Sequence, residues 1–482
     1  MKSQSSIKKN FIYQMIYQIL IIILPFVTSP YIARTIGAEG LGTYSYSYSI
    51  AYYFVLFSML GLANYGNRAV AQCRDNQEDL NETFSNIVTL HIAFSAICCV
   101  VYILYVVFLA KEKLYAGIQF AYVLSGLFDV SWFYFGIEKF KLTVTRNIII
   151  KIVNVVCVFV LVRNANDLWK YCAIMAVGML ISQISLWFPL NKFVAFQKPT
   201  WKKMRPHIEP LLILFIPAIA VSLYKYMDKI MIGAMSNKTQ LGFYENAEKV
   251  INIPLTIITS FGTVMLPKMS NLVASHDRKK TNQYISLSMK YVMCLSFALA
   301  FGLAGIGKVF APVFWGQEFM LSGVLIMGLS ITIPFMSFAN VIRTQFLIPS
   351  EKDKEYLSSV IGGAVVNLIA NTLLISRIGA IGATIGTILA EIFVCVIQTL
   401  SVGKELPVLR YIKSIWMFAL FGVTMFAGVF YIGNVMENKV STLFLQIICG
   451  MLIYGTLCMI YFVYTKDEMI LKMLRKIKGK IR

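Results

Sequence analysis

Charged side chains are scarce in this chain of 482 residues. Asp, Glu, Lys and Arg together make up 14% of the sequence, whereas hydrophobic residues make up 58%. An ordinary soluble domain is about 25% charged. With so few polar groups, a chain of this length cannot cover a soluble fold, so the composition predicts a protein that lies in a lipid bilayer.

The residue patterns of metal and nucleotide sites are also missing. The nine cysteines fall mostly inside apolar runs, and the three histidines, His91, His207 and His276, are scattered. Neither set has the spacing of metal ligands, and no nucleotide-binding motif occurs. We therefore interpret the cysteines as small apolar residues and expect no cofactor and no resident metal.

Long apolar runs dominate what is present. Runs of about 18–25 residues are typical of transmembrane helices, and their continuous apolar character excludes a membrane barrel, whose strands alternate. The sequence predicts fourteen such helices, at roughly 10–34, 42–64, 84–109, 114–136, 142–162, 168–190, 209–235, 241–266, 283–311, 320–343, 355–377, 380–402, 410–433 and 440–464.

Basic residues mark one side of these helices. The even-numbered connections carry roughly 30 lysines and arginines and the odd-numbered ones about 8, which is a strong positive-inside bias. Both termini are therefore predicted to be cytoplasmic. The net charge of +21 follows from the same bias, so we do not expect a nucleic-acid partner. The last residues, 465–482, place apolar side chains on one helical face among lysines and arginines, which predicts an amphipathic helix on the inner leaflet.

One short pattern occurs twice. "TIGAEGLGTY" (Thr35–Tyr44) and "MIGAMSNKTQLGFY" (Met231–Tyr244) both read Ile-Gly-Ala, a polar insert, and Leu-Gly-x-Tyr. They fall on the outer turns between helices 1 and 2 and between helices 7 and 8. A basic residue follows each Leu-Gly at the same offset, Arg68 in one copy and Lys268 in the other.

Six helices separate the two copies, so both copies have the same orientation. This predicts a parallel repeat about an axis along the membrane normal, with a substrate site between the repeats. The expected architecture has an N-lobe (1–200), a C-lobe (201–403), two further helices (404–464) and the tail. Glycine-containing turns that recur by chance are the alternative.

Ionisable residues inside the predicted helices are costly in lipid and are therefore candidates for function. Helices 7 and 8 are antiparallel neighbours, and equal depth from the outer turn makes the pairs Lys229–Glu248 and Asp228–Lys249 available. Such a cluster is either a structural set of ion pairs or a gate and cation-coupling site. The candidates are Arg34, Asp129, Lys151, Lys225, Asp228, Lys229, Glu245, Glu248, Lys249 and Glu391.

Helix 2 carries a stripe of tyrosines four residues apart, Tyr44, Tyr48 and Tyr52. A row of phenols suits stacking on sugar rings and hydrogen bonding to them, and packing between helices is the other interpretation. Prolines in helices 1, 7, 8 and 10 predict bends. Since helices 1 and 7 are equivalent under the repeat, their prolines are candidate hinges.

Several of these stretches resemble one family, the polysaccharide repeat-unit flippases of O-antigen and capsule synthesis. These Wzx-type proteins form the polysaccharide branch of the multidrug/oligosaccharidyl-lipid/polysaccharide exporter superfamily. The resemblance covers roughly residues 8–464. It rests on "PYIARTIGAEGLGTYSYSYS" (Pro30–Ser49), "NYGNRAVAQ" (Asn64–Gln72), "FDVSWFYFGIEKFK" (Phe128–Lys141), "YMDKIMIGAMSNKTQLGFYENAEKV" (Tyr226–Val250) and "IGAIGATIGTILAE" (Ile378–Glu391).

The resemblance implies a fourteen-helix, two-lobed transporter in the bacterial plasma membrane. Its substrate would be an undecaprenyl-pyrophosphate-linked oligosaccharide, moved from the inner to the outer leaflet by antiport with H⁺ or Na⁺. Polysaccharide polymerase and other synthesis proteins are the implied partners, besides membrane lipids.

Site residues follow from the same resemblance. Cationic side chains suit the pyrophosphate or an acidic sugar, and Arg34, Lys225 and Lys229 are assigned to it, with Lys151, Tyr48 and Tyr52 as further substrate contacts. Carboxylates suit the coupling cation. The expected coupling and gating set is Asp129, Asp228, Glu248, Lys249 and Glu391.

Two other classes remain open at this point. A drug exporter of the same superfamily would favour an acidic, aromatic cavity, whereas helices 5 and 7 here add lysines. A membrane polysaccharide polymerase would need a sizeable catalytic segment outside the membrane, and the outer connections are mostly under about ten residues.

Overall fold

The computed structural model describes residues 2–467 and Leu471, and it places their side chains except for residues 2–23, 224 and 225. Over these residues the secondary structure is helical, without any strand. This confirms the predicted all-α class. The predicted amphipathic tail lies almost wholly outside the described residues and stays a prediction.

The chain divides into two compact units, Met1–Glu245 and Asn246–Arg482. The predicted lobes, 1–200 and 201–403, rest on the sequence repeat and not on packing, and they stay a prediction. The first unit contains α1 (Lys2–Met59), α2 (Leu62–Cys73), α3 (Gln77–Leu104), α4 (Lys113–Leu127), α5 (Ser131–Gly136), α6 (Phe140–Leu161), α7 (Leu168–Ile184), α8 (Trp201–Met235) and the start of α9 (Lys238–Ala274).

The second unit continues α9 and adds seven helices. These are α10 (Arg278–Trp315), α11 (Met320–Ser330), α12 (Thr332–Ile342), α13 (Asp353–Ile378), α14 (Ala380–Val402), α15 (Val408–Val435) and α16 (Val440–Tyr464). Short π-helical turns follow α3 and α12, at Tyr105–Leu109 and Arg343–Leu347.

Eleven helical stretches of the described residues are long and apolar enough to cross a membrane. The prediction of fourteen differs for identifiable reasons. The stretch Leu24–Cys73 contains two predicted helices, whereas α4, with 15 residues, and α7, with 17, are short for a span. Each of the fourteen predicted positions nevertheless contains helix. The chain is a multi-pass membrane protein.

Large apolar side chains on the outside of the helices support this conclusion. Phe108 is 76% exposed, Leu109 74% and Leu400 69%. Such residues are stable at a surface only where lipid covers them.

Glycine breaks the first long helix at the predicted turn. Gly37 has φ 70° and ψ 179°, so α1 is kinked there, between the predicted helices 1 and 2. That helix ends at Met59 and not at residue 64, because Leu60 and Gly61 take positive φ angles of 40° and 76°. The next residues, which we expected to form a connection, instead form α2.

The predicted helix 10 is interrupted next to its proline. It consists of α11 and α12, which meet at Ile331. Pro334 has no N–H to donate to the carbonyl of Ser330, four residues earlier. The prolines of helices 1, 7 and 8 lie inside continuous helices, and their role as hinges stays a hypothesis.

Candidate functional site

The two copies of the repeated turn pack against each other within the first unit. A Cβ atom on Gly42 would lie 1.7 Å from the carbonyl oxygen of Lys238, and a Cβ atom on Gly242 would lie 1.9 Å from that of Ala38. No side chain fits in either place, so both positions require glycine.

This contact is reciprocal. Lys238 follows Ala38 by 200 positions, and Gly242 follows Gly42 by the same number. The contact of Gly42 with Lys238 is therefore matched by the contact of Gly242 with Ala38, in which the equivalent residues have exchanged places. This is the contact pattern of a local two-fold axis. The repeat in the sequence corresponds to a close backbone-to-backbone contact between the two repeated turns.

One helical turn away from these glycines, two polar side chains that are also 200 positions apart contact each other. Ser45 Oγ donates to Glu245 Oε2 at 2.7 Å, and the two residues are again 200 positions apart. Lys229 Nζ lies 2.8 Å from the same Glu245 oxygen, with the two charged side chains 10% and 13% exposed. Charges this buried interact strongly, because little water screens them.

Asp228 and Lys229 contact residues of α9 that lie nearer the turn than the partners we expected, and their pairing with those partners stays a prediction. We predicted the pairs Lys229–Glu248 and Asp228–Lys249. The structure gives Lys229 an ion pair with Glu245, and Asp228 Oδ2 accepts a hydrogen bond of 2.9 Å from the hydroxyl of Tyr244.

A shorter turn explains the difference. The prediction started the returning helix at residue 241, whereas α9 starts at Lys238 and leaves a turn of only two residues after α8. Equal depth on the two helices then pairs Lys229 with a residue three positions earlier, Glu245. Glu248 and Lys249 are half-buried on α9, in the second unit.

A lysine closes the outer turn. Lys238 Nζ lies 3.0 Å from the centroid of the Tyr46 ring, donates to the carbonyl of Gly233 at 3.2 Å and approaches Glu112 Oε1 at 3.8 Å. The cation therefore connects the turn between α8 and α9 to α1 and to the connection before α4.

The predicted tyrosine stripe packs on other tyrosines. The rings of Tyr52 and Tyr226 stack with their centroids 3.9 Å apart. Tyr48 stacks on Tyr122 at 4.9 Å, and their hydroxyls are 3.4 Å apart. In this arrangement the stripe holds α1 against α4 and α8, and a contact of Tyr48 or Tyr52 with a sugar stays a prediction.

Asp129 lies at a helix break. We predicted one helix over 114–136, but α4 ends at Leu127 and α5 begins at Ser131. Asp129 Oδ1 accepts from the backbone N–H of Ser131 at 2.8 Å and from its hydroxyl at 2.5 Å. Asp residues favour such turns over helix interiors, which explains the break.

The remaining predicted residues are spread over the fold. Arg34 is exposed on α1, Lys151 is half-buried on α6, and Glu391 is 4% exposed on α14 in the second unit. The side chain of Lys225 lies outside the described residues. The roles that we assigned to these four residues stay predictions.

A groove in the second unit has no counterpart in our predictions. It has a volume of about 890 Å³ and is bounded by α10, α11, α12, α14 and α15. Its wall on α10 extends from Met293 to Ala304, about 16 Å along the helix axis. Nearly all of its lining side chains are apolar, so it suits a hydrocarbon chain.

Fold and site together define a class: an all-helical membrane transporter built on a two-fold repeat. The family model of polysaccharide biosynthesis proteins matches residues 7–273, and that of the lipid II flippase MurJ matches residues 148–455. The chain belongs to the polysaccharide biosynthesis protein family, within the superfamily of multidrug, oligosaccharidyl-lipid and polysaccharide exporters.

Curated relatives cover most of the chain. A putative O-antigen transporter of Shigella dysenteriae is 23% identical over 396 residues, which are 80% of this chain and 98% of the relative. The probable low-salt glycan biosynthesis flippase Agl15 of Haloferax volcanii is 24% identical over 461 residues, 91% of this chain and 92% of the relative.

Solved structures share the fold. The lipid II flippase MurJ in an inward closed conformation has a TM-score of 0.77 and 17% identity, and the match covers 95% of this chain and 100% of that one. An inward-facing multidrug resistance MATE transporter has a TM-score of 0.63 and 12% identity, covering 80% and 95%. At these identities the likeness shows the fold alone, and it confirms the predicted all-α transporter fold.

Proposed function

We propose that this protein is a flippase for lipid-linked oligosaccharides in surface polysaccharide synthesis. Its substrate is an undecaprenyl-pyrophosphate-linked repeat unit, carried from the inner to the outer leaflet of the bacterial plasma membrane. The termini are cytoplasmic, as the positive-inside bias indicates. The family, and the relatives named for O-antigen transport and glycan biosynthesis, support this function over drug export.

One observation carries the mechanism: a backbone seal at the outer turns lies directly above a buried ion pair. Gly42 and Gly242 bring the turns into contact, and Lys229–Glu245 lies one turn deeper. At Gly42 and Gly242 the seal is backbone against backbone, so the turns can separate there without moving a side chain out of the way. This is what alternating access requires of an outer gate.

The ion pair connects the gate to the substrate. Separating Lys229 from Glu245 inside the membrane breaks a buried ion pair, which is strongly unfavourable. A pyrophosphate compensates Lys229, and a proton or Na⁺ compensates Glu245. Substrate anion and coupling cation thus replace the two partners of the pair, which provides a physical basis for coupled transport.

The lipid part of the substrate needs an apolar site. Polyprenyl chains gain about 0.8 kcal/mol for each buried CH₂ group when removed from water, and inside the bilayer they require a surface without polar groups. The groove beside α10 has this character. We assign it to the hydrocarbon chain of the substrate.

Deletion of the gene tests the function. Complete undecaprenyl-linked repeat units should accumulate on the cytoplasmic side, as read by extraction after leaflet-specific labelling, and the intact gene should restore export. Normal glycan export in the deletion strain, with altered tolerance to cationic compounds, would favour drug export. Polysaccharide polymerase and other synthesis proteins are the expected partners.

A further inference from the structure

The connection between α7 and α8 is a basic and aromatic segment that the mechanism above does not use. Residues 185–208 contain five basic side chains and neither Asp nor Glu. Two large aromatic side chains of this segment are exposed, Phe196 at 59% and Trp201 at 62%. The basic residues are exposed as well, namely Lys192, Lys198, Lys202, Lys203 and Arg205. The segment therefore presents apolar rings and positive charges together.

Three hydrogen bonds fix this segment along α3. They join Gln77 Nε2 to the Phe193 carbonyl (3.0 Å), the Ala195 amide to Asn81 Oδ1 (2.9 Å) and the Gln197 amide to Ser85 Oγ (2.9 Å). The three positions on α3 are four residues apart, so they lie on one face of the helix. Eight residues of helix and four residues of extended chain have nearly the same length, about 12 Å and about 13 Å. The segment therefore runs in register along α3.

This register sets the depth of the two aromatic rings. Ser85 lies at the start of the predicted span 84–109, and the segment reaches its level at Gln197. The neighbouring Phe196 ring packs edge-on against the buried Phe84 ring, with their centroids 5.5 Å apart. Trp201 is the first residue of a stretch that is long and apolar enough to cross a membrane. Both rings thus lie at the boundary between water and lipid, where aromatic side chains are favoured.

The charge of the segment favours an anionic lipid. Lys203 Nζ lies 2.6 Å from Glu82 Oε2 on α3, so the net positive charge is that of the other four basic residues. Anionic phospholipids attract lysine and arginine near the membrane surface, and lipid phosphates accept charge-assisted hydrogen bonds from them. A lipid surface without net negative charge would not compensate the segment.

We propose that residues 191–205 form a docking surface for anionic phospholipids. In it, the two exposed aromatic rings enter the boundary of the acyl chains and the exposed lysines bind lipid phosphates. The bound lipids hold the segment against α3, and with it the start of α8, the helix that carries Lys229. The positive-inside bias places this surface at the inner leaflet. The inference goes beyond the proposed function and does not depend on the transported substrate.

Tryptophan fluorescence of the full-length protein in lipid nanodiscs tests the contact. Lipids that are brominated near the headgroup quench tryptophans beside them, and the difference between wild-type protein and Trp201→Phe gives the signal of Trp201. We expect brominated phosphatidylglycerol to quench this signal more than brominated phosphatidylcholine at the same mole fraction. The triple variant Lys192→Gln/Lys198→Gln/Lys202→Gln should reduce this preference at least about fivefold, which is the contribution of one lysine near an anionic surface.

Two matched controls are available in the chain. Trp169 is exposed at the other end of α7, where Lys170 Nζ lies 2.6 Å from Asp167 Oδ1, so its signal should show no preference between the lipids. Arg278→Gln/Lys279→Gln removes two exposed charges at the start of α10 and should leave the preference at the reporter unchanged. Equal quenching by both lipids, quenching by neither, or a preference that survives the triple variant would overturn the inference. Quenching by neither would assign the segment to a soluble partner.

Hydrogen exchange tests whether the lipids hold the segment. The amides of Ala195 and Gln197 are bonded to α3, and they should exchange at least about fivefold more slowly with phosphatidylglycerol than with phosphatidylcholine. The triple variant should lose this difference, and equal exchange of the wild-type protein in both lipids would show that the lipids do not hold the segment. Neither measurement uses the substrate, so a failure here leaves the flippase function standing. Normal glycan export in the deletion strain would overturn that function and not the lipid surface.

Discussion

Gly42 and Gly242 are 200 residues apart in the sequence and are packed backbone against backbone in the structure. A Cβ atom on Gly42 would lie 3.0 Å from the amide nitrogen of Gly242 and still closer to the carbonyl of Lys238. The repeated turn is thus a contact in the structure as well as a repeat in the sequence. It is a contact that only two glycines can make.

Substitution of either glycine should prevent closure of the outer turns. Gly42→Ala or Gly242→Ala places a methyl group within 2 Å of a backbone carbonyl, and overpacking of this kind costs about 1–3 kcal/mol. We expect glycan export to fall roughly five- to 100-fold. Gly117→Ala is the control, because a methyl group there meets nothing within 4 Å. Equal export by all three variants would show that the contact has no role.

The Lys229–Glu245 pair should behave as a unit. Lys229→Met or Glu245→Gln alone should destabilise the protein by about 3–5 kcal/mol, because each removes one partner of a buried ion pair. The double variant should be more stable than either single one, as measured by thermal unfolding in lipid nanodiscs, yet it should not transport. If the loss of stability in the double variant equals the sum of the losses in the two single variants, the two residues are not coupled.

Lys238 should slow the opening of the outer turn. Its cation lies over the Tyr46 ring and near Glu112, and Lys238→Met removes both interactions while keeping an unbranched chain. Thr43→Cys introduces a probe at a buried position beside Gly42. We expect an impermeant maleimide added outside the cell to label this cysteine faster when Lys238→Met is also present. Protein without Thr43→Cys gives the background labelling of the native cysteines. An unchanged labelling rate would show that Lys238 does not slow the opening of the turn.

Two variants of Tyr52, in the tyrosine stripe, distinguish a role in helix packing from a contact with the sugar. Tyr52→Phe keeps the ring that stacks on Tyr226 and removes only the hydroxyl. If packing is the role of Tyr52 in the cycle, this variant should export glycan within about twofold of the wild-type protein, whereas Tyr52→Ala should lose a few kcal/mol of stability. A large loss of export in a stable Tyr52→Phe variant would instead assign the hydroxyl to the substrate.

The helices and the repeat could be predicted because short, local patterns of residues indicate both. Apolar length marks the spans, and the Leu-Gly-x-Tyr pattern marks the two turns. The contact between the turns could be anticipated only in part, since nothing in the sequence says that Gly42 and Gly242 touch.

Other features depended on details that the sequence does not state. Glu245 was passed over in favour of Glu248 because the turn before α9 proved to be two residues long. Asp129 was placed inside a helix, since periodicity does not show where an Asp side chain competes with the backbone. His91 was treated as one of three scattered histidines, because its burial is visible only in three dimensions.

Purified protein in liposomes offers the most direct test of the central claim, that the outer seal and the buried pair serve the flipping of a lipid-linked glycan. Undecaprenyl-linked repeat units would be loaded on both leaflets, and a glycan-modifying enzyme added outside would report how much substrate it can reach. We predict that the wild-type protein brings all of the substrate to the enzyme, whereas with Gly42→Ala the second half of the substrate is modified roughly five- to 100-fold more slowly. Substrate that stays half-protected with the wild-type protein, or that Gly42→Ala exposes as fast as the wild-type protein does, would contradict the account.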